Sequence, residues 1–314
     1  MIKNYFKTAW RNLIKNKVHS SINIVGLSVG MAVAMIIGLW IWDELSYDKD
    51  NPNYEKIAQV MQNNTINGEV STWESMPEPM GPELRKSYGS DFKYVIMSSW
   101  TETHFLTMGD KKITEQGNFM EPAGAYLLNL KMLKGNRDGL KETYTMLISA
   151  SMAKALFGDA DPMGKTIRMD DKLDVKVSGV YADIPRNSRF SIVSFVSPWN
   201  LKIVKDPYMK DNTTNWGNNS FLVYVQIADN VHMEAVSKKI KDTKLRNVPK
   251  EDRRYNPQLF LQPMIMKKTT RVPILASILV PIVLGIVIPF WGVLLAPPLF
   301  MTTFMSVSAC ESSA

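Results

Sequence analysis

Residues 158–166 read GDADPMGKT. Their Gly-Lys-Thr ending matches the residues with which a phosphate-binding loop contacts the phosphates of a nucleotide. A Walker A loop has four residues between its first glycine and the Gly-Lys pair, whereas five lie between Gly158 and Gly164. Asp159 occupies the position that the pattern reserves for glycine. The preceding residues 151–157 also predict a helix, while such a loop follows directly on a strand. We therefore predict a turn that leads into a strand, with no nucleotide site.

The other residues that could do chemistry are scattered. His19, His104 and His232 lie far apart, without metal-ligand spacing. A Ser-His-Asp triad stays open at this stage, because its members need not be neighbours in sequence. The single Cys310 excludes an intramolecular disulfide and a cysteine-based zinc site. The residues therefore predict no catalytic group, no cofactor and no metal.

Residues 20–42 form an uncharged stretch of 23 residues. A helix of this length spans about 34 Å, enough to cross a hydrocarbon layer of roughly 30 Å. The alternative is a helix fully buried in a large soluble protein. The absence of a polar stripe favours the transmembrane helix.

Charge predicts the orientation of this helix. Residues 1–42 contain no acidic residue, and Asp43 and Glu44 follow directly. The basic residues before the span are Lys3, Lys7, Arg11, Lys15 and Lys17. Positive charge stays on the cytoplasmic side, so we expect the N-terminus inside and residue 43 onward outside. No small-residue cleavage site follows the span, which favours a retained anchor over a cleaved signal peptide.

The basic residues recur about every four positions and oppose an apolar face, so residues 1–19 predict an amphipathic helix lying on the lipid bilayer. Inside the span, small residues recur every four positions at Gly26, Gly30, Ala34 and Gly38. Such a stripe permits close approach of another helix. The alternative, that glycine is simply common in membrane helices, stays open.

The net charge of +7 and the pI of about 9.2 do not indicate nucleic-acid binding, because the charge lies at the two ends. Of the 37 basic residues, five precede residue 43 and three follow residue 264, which leaves 29 between them. Of the 30 acidic residues, one follows residue 264, which also leaves 29. The region 43–264 is thus balanced, and the terminal charge suits anionic lipid.

Residues 43–264 alternate strand-like and helix-like stretches and predict an extracytoplasmic α+β domain. Helices are predicted at 77–88, 123–133, 151–157 (capped by Ser149 or Ser151) and 233–245, and strands at 56–62, 92–99, 144–149, 175–181, 191–196, 221–228 and 258–262. The tail 265–314 is hydrophobic and rich in proline, and a second span is predicted around residues 274–296. Lys267, Lys268 and Arg271 would then lie on the outer side of that span, against the positive-inside rule.

Two stretches carry a family resemblance. Residues 153–196 contain LFG, DP, GKTI, VSGV and DIPRNS, and residues 5–32 contain WRNL and NIVGL. This joint pattern resembles MacB/FtsX-like ABC transporter permeases over about residues 1–264. The residues that match the family's turns are Gly158, Asp161, Pro162, Gly164, Lys165, Gly179, Pro185, Asn187 and Ser188.

The resemblance implies a bacterial inner-membrane permease subunit with a periplasmic core domain of two subdomains, the inserted one at about residues 166–220. It implies a homo- or heterodimer paired with a cytoplasmic ABC ATPase, and export of substrates such as antimicrobial peptides or lipoproteins. The chain itself would not be an enzyme, and ATPase motion would pass through it to the periplasmic domain. After residue 264 the sequence departs from the family pattern. The alternatives are a non-transporting membrane-anchored scaffold or regulator, a truncated or frameshifted permease fragment, and a membrane-anchored hydrolase.

Overall fold

The computed structural model describes residues 2–264, which belong to two compact units divided after Leu45. The first unit contains helices α1 (Ile2–Lys15) and α2 (Lys17–Leu45). Within α2, Lys17–Asp43 is long and apolar enough to cross a membrane, with a mean hydropathy of 2.4. The predicted apolar helix is therefore present, and it extends past residues 20–42 at both ends. The expected second span at 274–296 and the tail 265–314 lie outside the described residues.

The second unit, from Ser46 onward, is a mixed α/β domain. Its strands are β1 (Ile57–Ile66), β2 (Glu69–Trp73), β3 (Phe92–Ser98), β4 (Glu102–Met108), β5 (Lys111–Met120), β6 (Met132–Gly135), β7 (Thr145–Ser149), β8 (Thr166–Met169), β9 (Leu173–Tyr181), β10 (Phe195–Pro198), β11 (Leu222–Ile227) and β12 (Gln258–Pro263). Its helices are α3 (Met80–Tyr88), α4 (Gly124–Leu127), α5 (Ala150–Phe157), α6 (Trp199–Lys205), α7 (Pro207–Asn212), α8 (Met233–Ile240) and α9 (Thr243–Asn247).

Four antiparallel strands form one part of the domain, in the order β3-β11-β1-β12. Helix α3 packs on β3, and α8 and α9 pack on β12. Every residue of β11 is buried, because both faces of the sheet are covered. Val223 and Val225 belong to one hydrophobic core, while Leu222 and Tyr224 belong to the other.

Six strands close into a ring, because β10 pairs with both β5 and β7 in the order β10-β7-β9-β8-β4-β5. The β5–β10 and β7–β9 pairs are parallel, and the other four are antiparallel. Phe119, Phe195 and Leu106 are fully buried in the core that this ring helps to form. The ring and the four-stranded sheet share one ladder pair, Ser98 on β3 with Met120 on β5, flanked by backbone hydrogen bonds from Ser99 to Phe119 and from Glu121 to Met97.

The ring draws its strands from residues 102–198, so β8 and β9 pair with strands that precede residue 166. The division into two subdomains stays a prediction. The strand pairing favours residues 99–221 as the inserted part over the expected residues 166–220.

Candidate functional site

The segment that follows α2 is held by the loop between β9 and β10. The amide of Asp48 donates to the Asn187 carbonyl at 2.9 Å, and Asn187 Nδ2 donates to the Ser46 carbonyl at 3.1 Å. Ser188 Oγ donates to Asp48 Oδ1 at 2.8 Å, and the Arg189 amide donates to the same oxygen at 3.0 Å. The Asp48 side chain is buried. Five hydrogen bonds thus fix residues 46–48 to the loop, counting a second from Asn187 Nδ2 to Ser46 Oγ.

Asp48 has a φ of +57°, the left-handed conformation that aspartate adopts more readily than most residues. The chain turns here, with the Asn51 amide donating to the Asp48 carbonyl at 3.3 Å. This turn points the carboxylate at the loop from β9, where Ser188 and Arg189 meet it.

The loop is also tied to the ring. Asp183 accepts hydrogen bonds from the amide and the Oγ of Ser151, in the first turn of α5. The Ala182 amide donates to the Lys131 carbonyl at 2.8 Å, and the Ser188 amide donates to the Pro185 carbonyl at 3.1 Å. The loop is therefore a closed turn anchored on α5.

A second anchor runs from the loop to the four-stranded sheet. Arg189 Nη2 lies 3.1 Å from Glu74 Oε2, and its guanidinium lies over the ring of Tyr224, 5.7 Å from its centroid. Gln59 on β1 donates to the same Glu74 oxygen at 3.3 Å. Burial raises the pKa of Tyr224 to about 12, although Arg189 acts in the opposite direction. The phenol is therefore neutral and serves as a packing surface for the arginine.

Met264, near the C-terminal end of the domain, lies beside the segment that follows α2. The Met264 amide donates to the Ile57 carbonyl at 3.1 Å, and Met264 is buried. Ile57, Met264 and Asp48 line one cavity of about 180 Å³, whose walls also include Leu127, Leu130, Pro185, Ser188 and Phe190. We call residues 46–51, 182–190 and 264 the junction. The junction contains both Ser46, which follows α2, and Met264, which precedes the tail.

Residues 158–166 are a turn that opens β8, as predicted. Gly158 ends α5 with a φ of +61°, and Gly164 has a φ of +72°. The Gly164 amide donates to the Val177 carbonyl, and the Val177 amide donates to the Lys165 carbonyl, both at 2.9 Å. The Lys165 amide donates to the Pro162 carbonyl at 3.1 Å, so the Gly164 and Lys165 amides, which would have to face a phosphate, bind carbonyl groups of the chain instead. Asp161 forms an exposed ion pair with Lys134 at 2.8 Å.

Gly179 is required by close packing. A Cβ atom here would lie 2.8 Å from both Leu147 Cδ2 and Met132 Cε, and 3.1 Å from the Lys134 carbonyl. The β7–β9 register shifts at this point, and Gly179 lies between the Leu147 side chain of β7 and the Met132 side chain of β6. Of the family-signature residues, Pro185, Asn187 and Ser188 belong to the junction, whereas Gly158, Asp161, Pro162, Gly164, Lys165 and Gly179 shape the ring.

The structure also assembles a charged cluster that sequence spacing did not reveal. His104 Nδ1 lies 2.8 Å from Asp170 Oδ2, and Lys205 Nζ donates to the same oxygen at 2.7 Å. Burial raises the pKa of Asp170, but the hydrogen bonds from Lys205 and His104 outweigh it and leave the pKa below its ordinary value. His104 Nε2 is buried and has no hydrogen-bond partner among residues 2–264. A nucleophile for a triad is therefore not positioned there in the described part of the chain.

In the first unit, Lys7, Arg11 and Lys15 are exposed along α1, Lys3 lies on the same helix, and Lys17 begins α2. Gly26, Gly30, Ala34 and Gly38 all lie on α2. Among residues 2–264, a Cβ atom added at Gly30 or Gly38 would meet nothing within 4 Å. The role of the stripe in helix packing, like the membrane-surface role of the basic residues, stays a prediction.

The described chain combines one helix long and apolar enough to cross a membrane with a mixed α/β domain, an arrangement that fits a membrane-anchored protein. The model of the MacB-like periplasmic core domain matches residues 20–243, and the chain belongs to that family. The resemblance read from the sequence is thereby confirmed. This family describes the periplasmic domain of permeases, which is not itself an enzyme.

Solved structures agree on the fold. A domain of a permease protein from Porphyromonas gingivalis is 21% identical, with a TM-score of 0.57, and the match covers 68% of this chain and 91% of that one. The periplasmic region of MacB from Actinobacillus actinomycetemcomitans is 18% identical, with a TM-score of 0.50, covering 70% and 95%. At these identities the likeness establishes the fold. A search of curated proteins found no match to the chain.

Proposed function

We propose that this chain is a permease subunit of a MacB-like ABC exporter, and that the junction transmits the motion of a cytoplasmic ATPase to the periplasmic domain. The observation that carries the proposal is the attachment of residues 46–48 to the β9–β10 loop. The family membership supports the permease assignment.

The physical argument concerns stiffness. Residues 46–48 follow α2 without a linker, and their hydrogen bonds include one from Ser188 and one from the Arg189 amide to a buried carboxylate. Hydrogen bonds to a charged acceptor are the stronger kind. A displacement of α2 would therefore move the loop as well. The displacement of the loop would then reach α5 through Asp183 and the four-stranded sheet through Arg189. It would be a rigid-body shift of packed elements.

The proposal includes an inner-membrane location with the N-terminus in the cytoplasm and residues 46–264 in the periplasm. Five basic residues before the span and none of acidic type support this orientation. A reporter that is active only in the periplasm, fused after Asp50, is expected to be active. Activity of a cytoplasmic reporter at the same position instead would reverse the orientation.

Pairing with an ATPase is tested by purifying the tagged full-length chain from native membranes in a mild detergent. An ABC-type ATPase that co-purifies at a fixed ratio, in a dimeric permease complex, is the expected result. A chain that purifies without any ATPase, although the cells contain them, would favour the membrane-anchored scaffold or regulator. The proposal names the substrate only by class, as an exported periplasmic or membrane-derived molecule.

A further inference from the structure

A buried lysine lies against two side-chain amides in the four-stranded part of the domain. Lys244 on α9 is 3% exposed. Its Nζ donates to Gln62 Oε1 on β1 and, at 2.5 Å, to Asn219 Oδ1. Both acceptors are neutral amide oxygens, so neither supplies a negative charge to balance the ammonium. Burial of a charged group under these conditions favours its uncharged form.

The uncharged form of this lysine is a nucleophile. Burial lowers the pKa of Lys244 to about 8, although the negative charge of Asp252 acts in the opposite direction. A fraction of the side chain is therefore uncharged near neutral pH and carries an electron pair on Nζ. Desolvated lysines of this kind attack carbonyl carbons.

The side-chain amide of Asn219 is oriented and polarised by its neighbours. Gln62 Nε2 donates to Asn219 Oδ1 at 3.2 Å, so two donors converge on this oxygen. Gln62 is itself held, because its Nε2 also donates to the Ser75 carbonyl at 2.6 Å. Asn219 Nδ2 donates to the Gly217 carbonyl at 3.2 Å, which fixes the amide plane. The carbonyl carbon Cγ is one bond away from the oxygen that Lys244 Nζ contacts.

A carboxylate lies near the nitrogen of the same amide. A Cβ atom added at Gly217 would be 3.3 Å from Asp252 Oδ2, and the Gly217 carbonyl accepts the hydrogen bond from Asn219 Nδ2. The charge of Asp252 also acts on Lys244. Asp252 is therefore close to both the amine and the amide nitrogen, and a carboxylate can carry a proton from one to the other.

We propose that Lys244 and Asn219 form an intramolecular isopeptide bond. The uncharged Nζ attacks Cγ of Asn219, and Gln62 Nε2 stabilises the negative charge that develops on Oδ1. The Cγ–Nδ2 bond then breaks, while a proton from Nζ passes through Asp252 to Nδ2, which leaves as ammonia. One primary amine and one primary amide thus become one secondary amide and one ammonia, so the step balances without a further reactant.

The bond would tie the two parts of the domain together. Asn219 lies on the segment that returns from the ring to β11, whereas α9 packs on β12 of the four-stranded sheet. A covalent link between them resists separation of the ring from the sheet, in a chain whose sequence contains a single cysteine. The bond belongs to the domain alone, so it does not depend on the assignment as a permease subunit.

Mass spectrometry of the full-length chain, purified from membranes and then denatured, tests the proposal. We expect an intact mass lower than the sequence mass by one ammonia. Trypsin does not cleave after a bonded Lys244, so the digest should contain a branched peptide that joins residues 211–238 to residues 242–246. In Asn219→Ala and in Lys244→Met, no ammonia should be lost and the branched peptide should be absent.

The proton transfer is tested by the rate at which newly made chains lose ammonia in pulse-labelled cells. Asp252→Asn should slow this loss by roughly 10²-fold, the contribution typical of general acid–base catalysis. The matched control is Asp242→Asn, which removes the same charge from an exposed residue of the turn before α9 whose side chain makes no capping hydrogen bond. It should lose ammonia at the parent rate.

Three results would overturn the proposal. A parent chain with the full sequence mass and only linear peptides would show that the bond does not form. A branch from Lys244 to Gln62 would assign the wrong acceptor. Equal rates for Asp252→Asn and Asp242→Asn would remove the role of Asp252.

Discussion

Ser188 Oγ donates a 2.8 Å hydrogen bond to Asp48 Oδ1 across a separation of 140 residues. One partner follows the apolar helix directly, and the other lies in the loop between β9 and β10. This pair is the centre of the junction, because the Arg189 amide binds the same carboxylate oxygen.

Ser188→Ala is expected to destabilise the domain by about 1.5–3 kcal/mol, since it leaves a buried carboxylate short of one donor. Ser191→Ala is the control, because it lies on the same loop and its hydroxyl makes no hydrogen bond among the described residues. That change should stay within about 0.5 kcal/mol. Thermal unfolding of the full-length chain in nanodiscs measures both changes. Equal unfolding midpoints for Ser188→Ala and Ser191→Ala would contradict a stabilising role of the Ser188–Asp48 hydrogen bond.

Gly179→Ala is expected to cost about 1–3 kcal/mol through overpacking, because the new methyl group would clash with Leu147 and Met132. Gly89→Ala is the matched control, since a Cβ there meets no atom of residues 2–264 within 4 Å and its φ of −55° suits any residue. The control should be neutral or slightly stabilising. The same thermal unfolding measurement tests both variants. An unchanged midpoint for Gly179→Ala would contradict the overpacking and show that the ring accommodates the methyl group.

Asp170 is expected to make stability depend on pH. Its pKa is lower in the folded protein than its ordinary value, so its contribution is present above about pH 4 and is lost as pH falls through the folded pKa. The stability difference between wild type and Asp170→Asn should therefore shrink below about pH 4. Asn tolerates the φ of +53° at this position. The exposed neighbour Asp171→Asn should show a smaller difference at every pH, and identical profiles for the two variants would contradict the assignment.

Gly30→Ile is expected to weaken helix association without impairing membrane insertion, because a large side chain keeps backbones apart. Leu39→Ile changes a residue off the stripe and serves as the control. A membrane dimerisation reporter carrying residues 1–47, repeated with the full-length chain, measures association. Equal signals for Gly30→Ile and wild type in both formats would mean that the glycines serve no packing role.

Local sequence patterns predicted several elements well. Ser149 caps α5, with its hydroxyl accepting from the Met152 amide at 3.2 Å, and β11 and the turn at 158–166 lie where they were expected. The helix predicted at 123–133 was wrong beyond Leu127, because Asn129 adopts a φ of +51° and β6 pairs with β9. Tertiary pairing overrode the helical pattern there.

The sequence predicted only some residues of the candidate site. The resemblance singled out Asn187 and Ser188, but nothing in the spacing indicated that they bind residues 46–48. The pairing of His104 with Asp170 was equally hidden, since it spans 66 residues and depends on ring closure. Partners of this kind follow from topology, which no local pattern specifies.

The central claim is tested most directly by measuring distances between the periplasmic domains of a purified complex with its ATPase. Spin labels at Leu133, which is 61% exposed on β6, in a chain with Cys310→Ser report the separation of two protomers with and without ATP. We predict a shift of several ångströms on ATP binding in the parent chain and in Ser191→Ala. The shift should be lost in Ser188→Ala with Asp48→Ala, while ATP hydrolysis persists. A parent chain whose distance does not respond to ATP, or an equal shift in the double variant, would contradict transmission through the junction.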